Sequence, residues 1–568
     1  MNHAVMILIL LVALIVWLRW RRLHNYWGPR PRGPRNQPPR HRVRWLRLRL
    51  HLRLRPARGL ATGFELWWHW SRWASYRESK RTRPSLTRWE RVCGPAGHSL
   101  FLGRAHHFRS VRVPVQEHGA VIGPPRSGKS ALMSRLIMAA PGPVVSTSSK
   151  PDMFTLTSGI RTRRGPVWVF NPQGIGGIPS NVRWSPLSDC EVPEVAIRRG
   201  LAFAAAISTE GAEESAFWRR EAGEGLQGLF AAAALSGQDM RTVGRWVGAP
   251  HTTPEAAAIL AAAGQQEWSD KIAELNGPAE KTAQTIRTVM SSALSFLRDP
   301  ALAEAVLPTA GEEFSIDHFL LTGGTLYLIA KGDGEDCAIA PLFAAIASEI
   351  QYRATQIASL MPGGRLDPPL LMALDELTQI CPVPLPAWLA DSGGQGVSIW
   401  TAFHGYAQLR ARWKDPGAQT VLDTSNVKVV MPGLADADTL GHLSKLCGQF
   451  GRGRTRSDDG ISWHDVLTMD MIRRLPAGFS LLIRGGCSPV IVAVAKGWRY
   501  RPYVALRRRG LATLAFPSQN QSEANAAVDS VVMPELAGVT ATSEWTPSDA
   551  AVNSNAYESD GTAWWADS

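Results

Sequence analysis

The octapeptide GPPRSGKS at residues 123–130 constrains this chain more than any other feature, because it fits the spacing G-x-x-x-x-G-K-[ST]. It stands between the apolar run GAVI and the helix-forming text ALMSRLIMAA. A strand that delivers such a loop to the first turn of a helix points free N–H groups at an anion. Gly123 and Gly128 let the backbone wrap closely around phosphate, and Pro124, Pro125, Arg126 and Ser127 complete the loop. Lys129 is placed to neutralise the β and γ phosphates, and the Ser130 hydroxyl to ligate Mg²⁺.

A phosphate loop needs acidic partners, and PPLLMALDEL at residues 368–377 supplies them: an apolar run ends in Asp375 and Glu376. Asp375 would hold Mg²⁺ and Glu376 would polarise the attacking water, since in-line phosphoryl transfer requires both a metal and an oriented nucleophile. ATP is the expected nucleotide. A guanine reader would need N-K-x-D, and the nearest text, NVKV at 426–429, does not match. GIGG at 174–177 lacks the G-x-G-x-x-G spacing of a dinucleotide site and reads as a simple loop.

From about residue 95 the chain alternates short apolar runs with helical stretches, the pattern of a parallel sheet covered by helices. Strands are predicted at 111–122, 143–147, 167–171, 324–330, 369–375, 397–403, 427–431, 480–484 and 489–495. Residues 190–310 are rich in Ala and Glu with helix-spaced apolar positions and no strand run, which predicts an inserted all-α domain. The nucleotide-binding domain is then divided into 95–189 and 311–509. The chain is 45% hydrophobic, enough for such a core.

Charge is concentrated at the ends. Residues 19–58 hold fourteen Arg and no acid, whereas the whole chain is only +14, so everything outside that arm sums to about zero. The basic character therefore gives no support by itself for nucleic-acid binding by the body. Residues 4–18 form an unbroken apolar run, with Arg19, Arg21 and Arg22 after it. That order predicts a retained transmembrane helix within residues 1–20, with the arginine-rich side and all later residues in the cytoplasm. Residues 21–94 read as a basic, Trp-rich juxtamembrane region; its arginines suit anionic lipid headgroups, and the tryptophans of 60–76 suit a membrane interface. Residues 510–568 carry eight acids and no basic residue and read as a disordered tail. Cys93, Cys190, Cys337, Cys381, Cys447 and Cys487 form no CxxC pair and read as reduced thiols.

Over residues 110–500 the ordered motifs resemble the type IV secretion coupling proteins, TraG/TraD-like ATPases that link conjugative DNA processing to a secretion channel. Besides the two nucleotide motifs, the resemblance rests on VVSTSSKPD, on FWRREAGEGLQGLF at Phe217–Phe230 and on KTAQTIRTVMSSALSFLRDP. GQGVSIWTAFHGYAQLRARW, NVKVVMPGLADADTLGHLSKLCG and LPAGFSLLIRGGCSPV follow in order. The resemblance implies a RecA-like P-loop core, a helical insert facing the cargo machinery, DNA, relaxase and channel partners, a bacterial inner membrane and a homo-hexamer. In a ring, each ATP would lie at a subunit boundary, and Arg410 and Arg412, which follow the sensing segment, are the candidate arginine fingers.

Three departures from the family stand out. Ser148, Ser149 and Lys150 replace its acid before Pro-Lys-Gly; His404 stands at the sensing glutamine, with Gln408 four residues on; and one membrane helix is predicted rather than two. His404 reads equally as a γ-phosphate sensor or as a satisfied polar residue. The competing functions are an FtsK-like or type VII secretion ATPase and a nucleotide-binding scaffold without turnover.

Overall fold

The computed structural model describes residues 58–511, apart from 95–96, 208–214, 276–279, 310, 333–336 and 454–460. The apolar run at 4–18, nearly all of the arginine arm and the acidic tail lie outside the described residues, and the expected transmembrane helix lies there with them. Among the described residues no helix is long and apolar enough to cross a membrane.

Among the described residues eleven strands form one sheet. In chain order they are β1 (Ser99–Arg104), β2 (Ser110–Pro114), β3 (Gly119–Ile122), β4 (Val144–Ser148), β5 (Val167–Phe170), β6 (Thr325–Ile329), β7 (Leu370–Asp375), β8 (Val397–Phe403) and β9 (Val427–Val430). After the separate hairpin β10 (Gln449–Gly453) and β11 (Ile461–Asp465), β12 (Phe479–Arg484) and β13 (Cys487–Val494) complete it. The spatial order is β2-β1-β13-β12-β9-β3-β8-β7-β4-β6-β5. From β9 to β5 every pairing is parallel, and from β9 outward to β2 every pairing is antiparallel.

Burial explains the division. Every residue of β4, β6, β7 and β8 is buried, as central parallel strands require when helices cover both faces. The register then fixes the site. Ile122 at the end of β3 lies beside Phe403 of β8, and Asp375 at the end of β7 lies beside Ala402. The carboxyl ends of β3, β8 and β7 are therefore level and adjacent, as ligand sites of open α/β sheets demand.

Between β5 and β6 the chain runs through helices at 193–205, 215–235, 240–248, 253–262, 266–274, 280–293 and 300–305. The helix Ser215–Leu235 is central and touches five of the others. Its approach to Pro193–Ala205 depends on Gly200, where a Cβ would come within 2.7 Å of the Gln227 nitrogen and 2.8 Å of the Gly223 carbonyl. The block has no separate interior. Phe203, Phe230 and Phe296 belong to the same apolar cluster as Leu328 of β6 and Leu374 of β7.

One sequence expectation changes, and one region acquires a packing partner. The run 111–122 is two strands, β2 and β3, because the chain turns between them with Glu117 N–H donating to Pro114 O, and Glu117 pairs with Arg484. Residues 61–93, read as part of a juxtamembrane region, are packed into the body. Leu66 and Trp70 share a buried cluster with Val111 and Val113 of β2 and Val492 of β13. Glu65 closes a capping box with Thr62 and accepts from Ser488 Oγ at 2.6 Å.

Candidate functional site

The loop after β3 owes its shape to two glycines. At Gly123 a Cβ would lie 2.5 Å from Met431 Cβ and 2.9 Å from Ser127 Oγ, so no side chain fits between the loop and β9's end. Gly128 has φ +107°, a conformation that L side chains rarely adopt, and it leads directly into the helix Lys129–Ala139. Arg126 is left-handed at φ 61°. The result is a strained, open turn at a helix N-terminus.

Lys129 folds back into this turn. Its Nζ donates to Gly123 O at 2.7 Å and to Pro124 O at 3.3 Å, and it lies 3.0 Å from His404 Nδ1. Burial pushes the ammonium's pKa down, and the charges of Asp375 and Glu376 act against that shift. Ser130 Oγ donates to Asp375 Oδ2 at 3.4 Å, so the two expected metal ligands already touch.

Asp375 closes β7 inside the protein. Burial, then the charge of Glu376, raises its pKa to about 6, and Lys129 opposes the shift. Thr147 at the end of β4 donates to the Asp375 carbonyl at 2.7 Å and fixes the strand end. Glu376 follows with φ 52° and ψ 29°, a left-handed conformation that costs a non-glycine residue about 1–3 kcal/mol. It turns the carboxylate out of the sheet toward His404, with 4.0 Å between Glu376 Oε2 and His404 Nε2.

His404 thus stands between Lys129 and Glu376 at the end of β8. Gln408 holds it there: its Oε1 accepts from His404 N–H at 2.9 Å, while its Nε2 donates to Thr378 Oγ1 at 2.7 Å, just beyond Glu376. Sequence reasoning missed Thr147 and Thr378. The signal for Thr147 is its position at the end of an apolar strand beside the acid-bearing one; Thr378 acts only across the sheet and carries no local signal.

The two arginines differ. Arg412 donates to Ala205 O and, at 3.2 Å, to Ile207 O, so it is docked on the helical block of its own chain. Burial, then the neighbouring Arg219, pushes its pKa down to about 10. Arg410 is more open, lying 3.5 Å from Asp415 and 4.0 Å from Asp438. Ser148 Oγ accepts from Lys150 N–H at 3.2 Å and reaches none of the site's acids. The six thiols form no disulfide.

The residues fit a nucleotide and a metal. Ser127 Oγ is buried in the loop without a hydrogen-bond partner, and nothing lies within 4 Å of where a Gly128 Cβ would be. Among the described residues no cluster of three or more His, Cys, Asp or Glu could hold a metal ion. A cation on Ser130 and Asp375 would therefore complete its shell with phosphate oxygens and water, as Mg²⁺ characteristically does.

A P-loop on a mostly parallel sheet, with an acid pair two strands away and a histidine between them, is the arrangement of an NTPase-type protein. The family described as the TraM recognition site of TraD and TraG matches residues 369–477, which carry Asp375, Glu376, His404 and Gln408. No curated protein matches the chain. The bacterial conjugative coupling protein TrwBdeltaN70, in its unbound form, is similar with a TM-score of 0.52 and 21% identity over 67% of this chain and 86% of that one. TrwB with the GTP analogue GDPNP gives 0.50 at 20% identity, covering 68% and 87%. TrwB with ADP and Mg²⁺ gives 0.50 at 19% identity over the same shares, 68% and 87%. At this identity the likeness concerns the fold. Family segment and shared fold together support a type IV coupling protein family.

Proposed function

We propose that this chain is a membrane-anchored ATPase that uses ATP hydrolysis to recruit DNA or a DNA–protein complex and move it to a secretion channel in conjugation. One observation carries the reading. The level ends of β3, β8 and β7 gather Lys129 and Ser130 with Asp375, Glu376 and His404 around one open turn.

Bound Mg²⁺ and ATP would supply a Lewis acid and the anhydride bond to be broken. Lys129 would exchange Gly123 O for phosphate oxygens, and Ser130 with Asp375 would hold the metal. Glu376 accepts a proton from the attacking water, its carboxylate aimed outward by its left-handed backbone. His404, between Lys129 and Glu376, would donate to a terminal phosphate oxygen. TrwB in complex with ADP and Mg²⁺ supports this use of the fold; TrwB also takes GDPNP, so selectivity for adenine needs its own test.

A hexamer would bring a neighbour's arginine to each site. Arg410 is the better placed of the two candidates, because Arg412 is already bound within its own chain. The TraM recognition site of TraD and TraG supports a protein partner at 369–477, besides relaxase and channel proteins. The apolar run at 4–18 supports an anchor in the bacterial inner membrane.

The test is ATP and GTP turnover by the full chain in lipid nanodiscs, with and without DNA, across a salt series. DNA should raise ATP turnover with little regard to sequence, because a motor must accept each base that passes. Absence of stimulation at every salt concentration would overturn DNA as the cargo, and absence of turnover would favour the scaffold.

A further inference from the structure

The edge of the sheet opposite the nucleotide turn carries an unused surface. The helix Gly63–His69 exposes Phe64, Trp67 and Trp68 at 67%, 46% and 42%, although each is large and apolar. Their rings stand together, with Phe64 6.0 Å from both tryptophans and the two tryptophans 5.7 Å apart. The next helix, Arg72–Thr82, adds Trp73, exposed at 41%. Contiguous exposed aromatics of this kind mark an interaction surface.

Cations frame the cluster. Arg77 lies 4.0 Å over the Trp68 ring and donates to Trp68 O at 2.5 Å, and Arg72 lies 4.9 Å over Trp73. Against Arg72, Arg77, Lys80 and Arg81 this helix sets one acid, Glu78. The helices are held at the amino ends of the parallel strands. Arg83 pairs with Asp367 just before β7, and Arg484, which pairs in register with Val427 at the start of β9, bonds His69 O. The nucleotide turn lies at the carboxyl ends of the same strands.

We infer that the Phe64–Trp68–Trp73 face is a second membrane contact, in which the aromatic rings enter the headgroup boundary of an anionic bilayer and the flanking cations bind its phosphates. Aromatic rings beside arginine and lysine match that chemistry. So does the chain order: the described residues begin at Arg58, and the sequence before them is an arginine-rich arm preceded by an apolar run. This contact goes beyond the proposed anchor at 4–18. It presents the amino edge of the sheet to the bilayer and leaves the nucleotide turn facing away from it.

The full chain in vesicles of phosphatidylglycerol and phosphatidylethanolamine, doped with a lipid carrying a diazirine in its acyl chain, tests this by peptide mapping after photolysis. Peptides covering 63–76 should be labelled, as well as those covering 4–18. A Phe64→Ser, Trp67→Ser and Trp68→Ser variant should lose the label at 63–76 severalfold and keep it at 4–18. Unlabelled 63–76 in the wild-type chain beside labelled 4–18 would overturn the second contact and leave the anchor standing. Label at 63–76 without label at 4–18 would sink the anchor instead. Protein–protein cross-links at Phe64–Trp68 in place of lipid adducts would give the face to a second copy and overturn the inference. The wild-type labelling decides the matter even if the triple variant does not fold.

Discussion

The ammonium of Lys129 lies 3.0 Å from Nδ1 of His404, a residue 275 positions later in the chain. The contact is possible because β3 and β8 are neighbours in register, and it ties the phosphate loop directly to the end of β8. Nδ1 of His404 also lies 3.4 Å from Gly123 O, and Nε2 faces Glu376. Replacement of His404 by Ala should lower ATP turnover by roughly 10- to 100-fold with nucleotide binding retained, because one donor near the transferring phosphate is lost. The Gln variant should recover most of the rate. Steady-state turnover and binding of a fluorescent nucleotide, measured on both variants, check this; equal rates in wild type and the Ala variant would reduce His404 to a satisfied polar residue.

Lys129→Ala removes the charge that faces the triphosphate. Turnover should fall to background in the full chain, with nucleotide affinity reduced as well. An undiminished rate would withdraw the assignment of residues 123–130 as the phosphate loop.

Glu376→Gln keeps the shape of the side chain and removes its basicity, so hydrolysis should fall by roughly 100-fold or more while ATP binding persists. A parallel Glu376→Gly variant should gain about 1 kcal/mol of stability, because glycine adopts the left-handed backbone without strain. Activity lost with stability gained would mark the strain as functional. Stability unchanged in the Gly variant would mean the backbone there is relaxed.

Asp375 predicts a pH-dependent trade. Its folded pKa of about 6 is raised above the ordinary 3.8. The protonated acid therefore favours the fold, fully below 3.8, and that contribution fades as pH rises through about 6. Above that pH the ionised group costs the nucleotide-free protein up to about 3 kcal/mol. Asp375→Asn should thus raise the melting temperature at pH 8 by a few degrees, with the gain vanishing near pH 4, and should abolish Mg²⁺-dependent turnover. A variant equally or less stable at pH 8 would show that burial does not strain this carboxylate.

A chain cut at residue 95 should be damaged where a chain cut before Arg58 is not. The shorter one loses the buried Leu66 and Trp70 and uncovers β2, a loss of about 3–6 kcal/mol from those two side chains alone. Thermal melts of the two truncations compare them directly. Equal midpoints would show that residues 61–93 merely rest on the body.

What the sequence determined by itself is local. A phosphate loop announces itself because strand, glycines, lysine and helix are contiguous, and the two acids because an apolar strand ends in them. The alternation of apolar runs with helical stretches likewise states an α/β sheet, since burial on both faces leaves continuous apolar text. Tertiary structure decided what depends on neighbours far along the chain. Residues 111–122 read as one run although Gln116, Glu117 and His118 interrupt it, and the turn at Pro114 with the Glu117–Arg484 pair divides them into two strands. The segment 60–76 has the composition of a membrane interface, yet Trp70 points into the core while Phe64, Trp67 and Trp68 remain outside, a division that helical phase settles only once β2 and β13 supply something to pack on. Thr147, Thr378 and the seat of Arg412 belong to the same class. Each acts through strand order and through the contact between sheet and helical block, and neither is written in any one stretch of residues.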